Sequence, residues 1–546
     1  MNFNTRLKIR NIGSCIAFAS GLALLSISPR SGEAATLPEL PRVFMDTTYS
    51  PPAGNIITVN AGGDFQTALN NATLGDTIVL QAGATYIGPF TLPNKTSGSG
   101  WIYIRSSAYA SLPPPGSRVS PFYAANMPKI VVGSTVGGAI QTTTSSHHFR
   151  FVGIEIKPVA GQFVFGLVDI GNGNSSNTTV PDNIVFDRCY VHGDLSAPAG
   201  RRGFTMSGTS IAVIDSHVSG FSESGADSQA IFGYQGNGPF KIVNNFLEGA
   251  SENVLFGGAD PAIPNSVPSD IEIRRNHFFK PLSWIGARLT VKNLLELKNA
   301  QRVLVEGNVF ENSFPDAQVG FALLITPRNQ SGNAPWSVTQ DITVRLNKFI
   351  NVGSGVNLAG RDNNFPSQTT SRILIENNIF QVTRLNDADG RIFQFLSGPI
   401  DVTVRHNTAI ITVAGGTAGF SENNPKADQF DFRDNIVSSG SYGFIGTGTG
   451  EGISTLTAFF TNFIFTKNVI IGGGNTYPAG NFFPVNAAAV GFVNFAGGNY
   501  TLTPGSAFRN AASDGKDVGA DIAAIVAAGA GATVSGLAAP ANVQAQ

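Results

Sequence analysis

The residues best equipped for chemistry in this 546-residue chain lie between Asp227 and Asp362. Glu296 and Lys298 alternate with Leu295 and Leu297. In a strand that alternation turns the leucines inward and sends Glu296 and Lys298 outward. Arg328 and Asp260 stand in the loops beside them. A lysine or arginine that neutralises a sugar carboxylate acidifies the neighbouring ring proton, and a base such as Lys298 then removes it. Paired carboxylates, Glu296 with Asp260, belong instead to hydrolysis. Asp227, Glu252, Lys280, Trp284, Lys292, Trp336, Arg361 and Asp362 supply further cations, carboxylates and aromatic plates. Together they are the expected binding surface for an acidic polysaccharide.

Composition bounds the alternatives. Only 13% of residues are charged against 42% hydrophobic, and the formal net charge is -1. No basic footprint for nucleic acid exists, so a charged substrate needs a local patch. Cys15 and Cys189 are the two cysteines. Arg6, Lys8 and Arg10, then an apolar run over residues 16 to 27 and the small-x-small triplet Gly32-Glu33-Ala34, read as an export signal. Its removal leaves Cys189 alone, so no internal disulfide forms. The expected location is secreted, extracellular or periplasmic, with no membrane span, and a monomer is expected. No cofactor is demanded. Calcium is the one candidate, through Asp169, Asp182, Asp187 and Asp194, although no 12-residue calcium loop or nonapeptide repeat is present. The six histidines show no metal-ligand spacing.

The elements that must carry these side chains show themselves as a repeat. Alternating apolar residues are followed, five positions after the first, by a polar residue that is usually Asn. Examples are FKIVNNFL from Phe240, VLVEGNVF from Val303 and ILIENNIF from Ile373. The recurring position holds Cys189, Ser216, Asn245, Asn276, Asn308, Asn347, Asn378, Asn407 and Asn435, at steps of 27 to 39 residues. FRFVGIEI from Phe149 is a degenerate earlier copy. Such a period marks a solenoid. Period-2 alternation makes its unit a strand, not a helix. The expected fold is all-β, a single-stranded right-handed parallel β-helix of about ten coils. The Asn side chains form an internal ladder, with Cys189 as a small buried rung.

A second strand precedes each copy, as at 254–256, 295–297, 322–324 and 356–358. Longer loops enter at one corner, over 257–269, 326–340 and 359–371. The coil between the first two has only the Lys298-Asn299-Ala300 turn. Loops from equivalent corners share one side of a solenoid, where binding faces concentrate. The expected organisation is a signal over 1–35, an N-terminal strand and cap region over 36–100, coils over 101–480, and a C-terminal capping segment and tail over 481–546. A short helix is expected near residues 64–72 and another near 523–528.

The segment NAGGDFQTALNNATLGDTIVLQAGATY over residues 60–86, followed by the Asn-bearing coils, resembles the pectin- and pectate-lyase-like superfamily. It looks most like the secreted bacterial right-handed β-helix repeat proteins within it. That resemblance implies the fold and an extracellular polysaccharide as partner. The superfamily includes lyases, hydrolases, epimerases, esterases and binding proteins. No catalytic motif matches residue by residue, so the resemblance assigns no catalytic residue. The expectation is a lyase acting on a uronate polysaccharide by β-elimination. A non-catalytic carbohydrate-binding or cell-surface protein and a glycoside hydrolase are the alternatives.

Overall fold

A chain that alternates apolar and polar residues in short runs, with a turn after each, buries its apolar face by stacking each run on its equivalent in the next coil. The computed structural model describes residues 35–133, 137–171, 173–194, 200–422 and 424–533. The expected export signal, apart from Ala35, and the end of the tail lie outside the described residues. Three all-parallel sheets of 14, 13 and 12 strands run along the described chain. Consecutive strands visit them in turn. Leu295–Leu297 lies in the third sheet, Ala300–Glu306 in the first and Val309–Ser313 in the second. The fold is a right-handed parallel β-helix.

The inward rows close the core. Val303 stacks between Ile271 and Ile342 in register. In the second sheet Phe278, Phe310, Phe349 and Phe380 stack ring on ring, with centroids 4.4, 4.6 and 4.3 Å apart. Those separations are close to the strand spacing of about 4.8 Å, so parallel pairing itself sets the rings in stacking contact.

The ladder forms as expected. Asn245, Asn276, Asn308, Asn347, Asn378 and Asn407 each donate a backbone N–H, at 2.9–3.0 Å, to the Oδ1 of the next rung. It runs further than the motif count, through Asn468 to Asn481. The residue before each rung sits at positive φ, including Arg275 (53°), Leu346 (58°) and Asn377 (51°). A non-glycine residue pays about 1–2 kcal/mol there. The buried hydrogen bonds of the adjoining rung offset it. Cys189 is fully buried, with its thiol pushed up to about 12 by burial, so it is an inert rung.

Both chain ends depart from simple caps. The helix Phe65–Asn71 forms where expected, with Asp64 accepting from the Thr67 N–H at 2.9 Å. Residues 36–50, however, do not cover an end. They run along the outside of the first sheet as a strap. The Thr36 N–H donates to Asp401, Glu39 N–H to Asp341 and Arg42 N–H to Asp270. Met45, Thr48 and Ser50 then meet Lys241, Arg150 and Tyr103. Thr36, Glu39 and Arg42, three residues apart, thus meet aspartates two strands apart. An extended chain covers that distance, about 10 Å, in three residues. Arg302 and Arg372 pair with Asp270 and Asp341 and hold the carboxylates in place. Asp341→Ala is expected to cost about 2 kcal/mol, because it removes a bidentate ion pair and a strap bond together. Urea unfolding of the full chain checks this, and an unchanged midpoint would refute the strap's role.

At the other end, Phe482, Val490 and Phe508 close over Ile436 and Val469. The chain then turns back. The helix Ile522–Ala528 lies where the sequence places it, but on the flank of the rod, with Ile525 against Ile379 and Ile410. Those outward isoleucines need cover, which explains why the segment is no terminal cap.

Candidate functional site

The candidate site sits on the outer face of the third sheet. Four neighbouring strands carry it: β1 (Arg202–Met206), β2 (Gln229–Gly233), β3 (Glu252–Phe256) and β4 (Leu295–Leu297), with β5 (Phe321–Ile325) beyond. Leu255, Glu296 and Leu324 form one outward row across β3, β4 and β5. Glu296 therefore points away from the core, as expected. It is nevertheless 0% exposed, between two nearly buried leucines and beneath Lys298.

Five predicted residues converge. The Lys298 ammonium lies 2.7 Å from Glu296. Lys292 lies 2.6 Å from Asp227 and 3.9 Å from Glu252. The side chains of Lys292 and Lys298 are 16% and 18% exposed, and Asp227 is 45% exposed. Glu252 is fully buried, like Glu296. Burial, then the charges of Glu296 and Asp227, push the Glu252 carboxyl up to about 8 against the pull of Lys298 and Lys292. Burial opposes the charge on Lys298, but Glu296 and Glu252 outweigh it and hold the ammonium above the usual lysine range. Burial thus favours the neutral form of Glu252, while the neighbouring carboxylates favour the charged form of Lys298.

Three other residues belong to the cluster without a signal of their own type. Gln229 donates to Glu252 at 2.7 Å, and Arg202 donates to Gln229 at 3.2 Å. Asn293 donates to Glu296. Arg202, Gln229 and Glu252 occupy one register position in successive coils. That recurrence was readable, since each stands just before an apolar strand.

The remaining predicted residues lie elsewhere. Asp260 accepts from the backbone of Ser331 and Asn333, which ties two corner loops together. It does not pair with Glu296. Arg328 is spent on Asp362, Gln330 and Asn363. Trp336 donates to the Ser266 carbonyl at 3.2 Å. These loops neighbour one another as expected, yet their charged side chains bond loop backbone and one another instead of converging with Lys298. Arg361, half-buried, makes no hydrogen bond or ion pair among the described residues. Trp284 packs, partly buried, against a small apolar cluster of Leu289, Val291 and Phe314. Lys280 cannot touch a ligand. It is fully buried and donates to the carbonyls of Gly249, Ala250 and Ser251 at 2.7, 2.7 and 3.2 Å, just ahead of Glu252. Burial pushes its ammonium down to about 7.

Among the described residues, no group of three or more His, Cys, Asp or Glu is arranged to hold a metal ion. The aspartates proposed for calcium are engaged separately. Asp187 pairs with Arg150 and Arg188, Asp182 takes Asn183, and Asp194 takes the Gly161 N–H. They do not form an oxygen cage. Cavities of about 520 and 500 Å³ lie away from the cluster, beside Tyr500 and Asp517 and beside His147 and Asp182. No helix among the described residues is long and apolar enough to cross a membrane.

Glu252 sets a pH signature. Its folded pKa is raised, so its neutral form contributes stability below the usual glutamate range, and that contribution is lost as pH rises through about 8. Glu252→Gln is expected to remove this loss and to raise the melting temperature relative to wild type at pH 8 and above. Thermal melts from pH 5 to 9 check it. Parallel curves for the two proteins would contradict it.

A right-handed parallel β-helix with an ionic cluster on one outer sheet face is the class of protein these observations define. No protein-family model matches the chain, and no curated protein matches its sequence. Solved structures similar to it include pectate lyase Pel9A, with 14% identity over 86% of this chain and 96% of that one, at a TM-score of 0.34. The catalytic unit of a GH87 α-1,3-glucanase from Streptomyces thermodiastaticus is 14% identical, over 81% and 70% of the two chains, at 0.47. A mannuronic acid specific polysaccharide family 6 lyase from human gut microbiota is 11% identical, over 76% and 87%, at 0.43. At such identities the likeness concerns the fold alone.

Proposed function

We propose that the protein is an exported, monomeric enzyme that cleaves an acidic polysaccharide by β-elimination at the Lys292–Lys298 face. One observation carries this reading. Lys292 and Lys298 stand partly exposed over the fully buried Glu252 and Glu296, with the exposed Asp227 carboxylate beside Lys292 at the rim. An arriving chain meets two ammonium groups. A uronate carboxylate docks on Lys292 and is neutralised, which acidifies the proton on the adjacent ring carbon. Lys298, in its neutral form, takes that proton. The electron pair forms the new carbon–carbon double bond, and the bond to the leaving oxygen breaks. The leaving oxygen takes its proton from water, because the Glu252 carboxyl lies fully buried and cannot touch substrate.

The pH dependence follows. Below about pH 8, where Glu252 stays protonated, the neutral fraction of Lys298 grows about tenfold per pH unit. Above that, the ionised Glu252 adds a negative charge beside Lys298 and favours its ammonium form, so the rise flattens. Absorbance of the unsaturated uronate product, on a panel of uronate polysaccharides with and without calcium, tests the reading.

A second reading is hydrolysis with the exposed Asp227 carboxylate activating water, since Glu252 and Glu296 lie fully buried and cannot touch substrate. New reducing ends without absorbance would establish it. Silence in both assays, with polysaccharide still bound, would leave a non-catalytic carbohydrate-binding protein.

A further inference from the structure

Arg202 stands apart among the cations of this face. It lies half-buried at the start of β1, with its guanidinium carbon 4.1 Å above the Phe232 ring. Its Nε donates to Gln229, and its two terminal nitrogens make no hydrogen bond or ion pair among the described residues. Its neighbour Arg201 is already satisfied by Glu223 at 2.7 and 2.8 Å. Lys292 and Lys298 are each held by a carboxylate. The acidic group facing Arg202 across the sheet is Asp169, one strand before β1, whose carboxyl takes a hydrogen bond from Thr205. Burial raises the Asp169 pKa, and its carboxylate makes no hydrogen bond or ion pair with Arg202 among the described residues. Burial likewise presses on the Arg202 charge.

A guanidinium that is partly desolvated, floored by an aromatic ring and left with its fork unpaired is built for a planar anion. β1 lies three strands from β4, so Arg202 sits about 14 Å along the rod from Glu296. A polysaccharide laid on Lys292 and Lys298 and following the rod reaches Arg202 a few sugar units away. Gln229, bonded to both Arg202 and Glu252, joins the two places.

We infer that Arg202 forms a distal subsite that binds the carboxylate of a second uronate on the same chain. This rests on the reading of the face as a site for acidic polysaccharide. It adds that the protein requires acidic sugars away from the bond being broken, and so prefers long, repeatedly charged chains.

The test is calorimetric titration of the full chain with uronate octasaccharides, galacturonate and mannuronate, and with a neutral octasaccharide. Arg202→Gln is expected to weaken uronate binding about tenfold or more, the worth of a charge-assisted pair. Arg202→Lys is expected to restore it only in part, because a point charge lacks the fork. Melting temperatures check that both variants fold. Uronate binding unchanged in a folded Arg202→Gln protein overturns the inference. So does wild-type protein that binds neither uronate chain, or binds the neutral chain as tightly. Elimination without Arg202-dependent affinity leaves the proposed function standing and removes this subsite. Arg202-dependent affinity without elimination does the reverse.

Discussion

Lys298→Ala is expected to lower elimination by about 10²–10⁴-fold, the usual contribution of a general base. The loss should fall on kcat, since Lys292 remains to dock the uronate. The variant also strips the cation from Glu296, which is fully buried and lies 2.7 Å from the Lys298 ammonium. A fall in activity through unfolding is therefore a distinct outcome, and the melting temperatures of Lys298→Ala and Lys298→Met separate the two. Methionine keeps most of the stem that covers Glu296 and removes only the titrating amine. If Lys298 is the base, both variants bind uronate octasaccharide and turn over neither substrate nor shorter oligomers. A folded Lys298→Met protein that keeps a tenth of wild-type kcat would remove Lys298 from the reaction. A loss that appears only in KM would make it a docking residue beside Lys292.

The alternation of LEL over Leu295–Leu297 was enough to send Glu296 outward, and the structure agrees. Its burial was not legible. That depends on Leu255 and Leu324 from neighbouring coils and on the stem of Lys298, none of which a single strand reveals. The same limit explains Asp260 and Arg328. Their loops do gather at one corner, as loop lengths indicated. A long loop also exposes backbone N–H groups, though, and Asp260 and Asp362 satisfy those first. Lys280 was misread for a related reason. Sequence marks a lysine as a surface cation, whereas here the turn 249–251 turns three carbonyls onto it.

The fold was far more legible than the site, because every coil repeats the same constraint. Period-2 runs and the Asn position together specify strand, turn and register. The rung at Asn468 follows the same pattern, FIFTKN from Phe463, and only Asn481 lacks a preceding strand of the usual form. The strap was invisible for the opposite reason. TLPELP over residues 36–41 has no alternation, and its partners Asp401, Asp341 and Asp270 lie hundreds of positions away.

The ladder should carry the largest stability effect. Asn308 accepts from the Asn276 N–H at 2.9 Å and from the Asn276 side-chain amide at 3.0 Å, and donates to the Ile273 carbonyl at 2.9 Å. Asn308→Ala leaves a fully buried N–H and a buried carbonyl without these partners. At about 1–3 kcal/mol for each stranded group, the expected loss is about 3–4 kcal/mol once the small cavity is added. Asn308→Ser should cost clearly less. At Ser216 a hydroxyl already serves as a rung, accepting the Cys189 N–H at 3.0 Å and donating to the Ile214 carbonyl at 2.8 Å. Serine at 308 can accept the Asn276 N–H in the same way and satisfy its own hydroxyl within its strand. It therefore spares that backbone N–H but loses the bond to the Ile273 carbonyl and the amide links to both neighbouring rungs. Urea unfolding of the three proteins at one temperature measures the order. If Ser and Ala cost the same, the ladder's worth lies in packing the turn and not in its hydrogen bonds. If Ala costs under about 1 kcal/mol, below the price of one stranded buried group, water enters the turn and the ladder is not a dry spine.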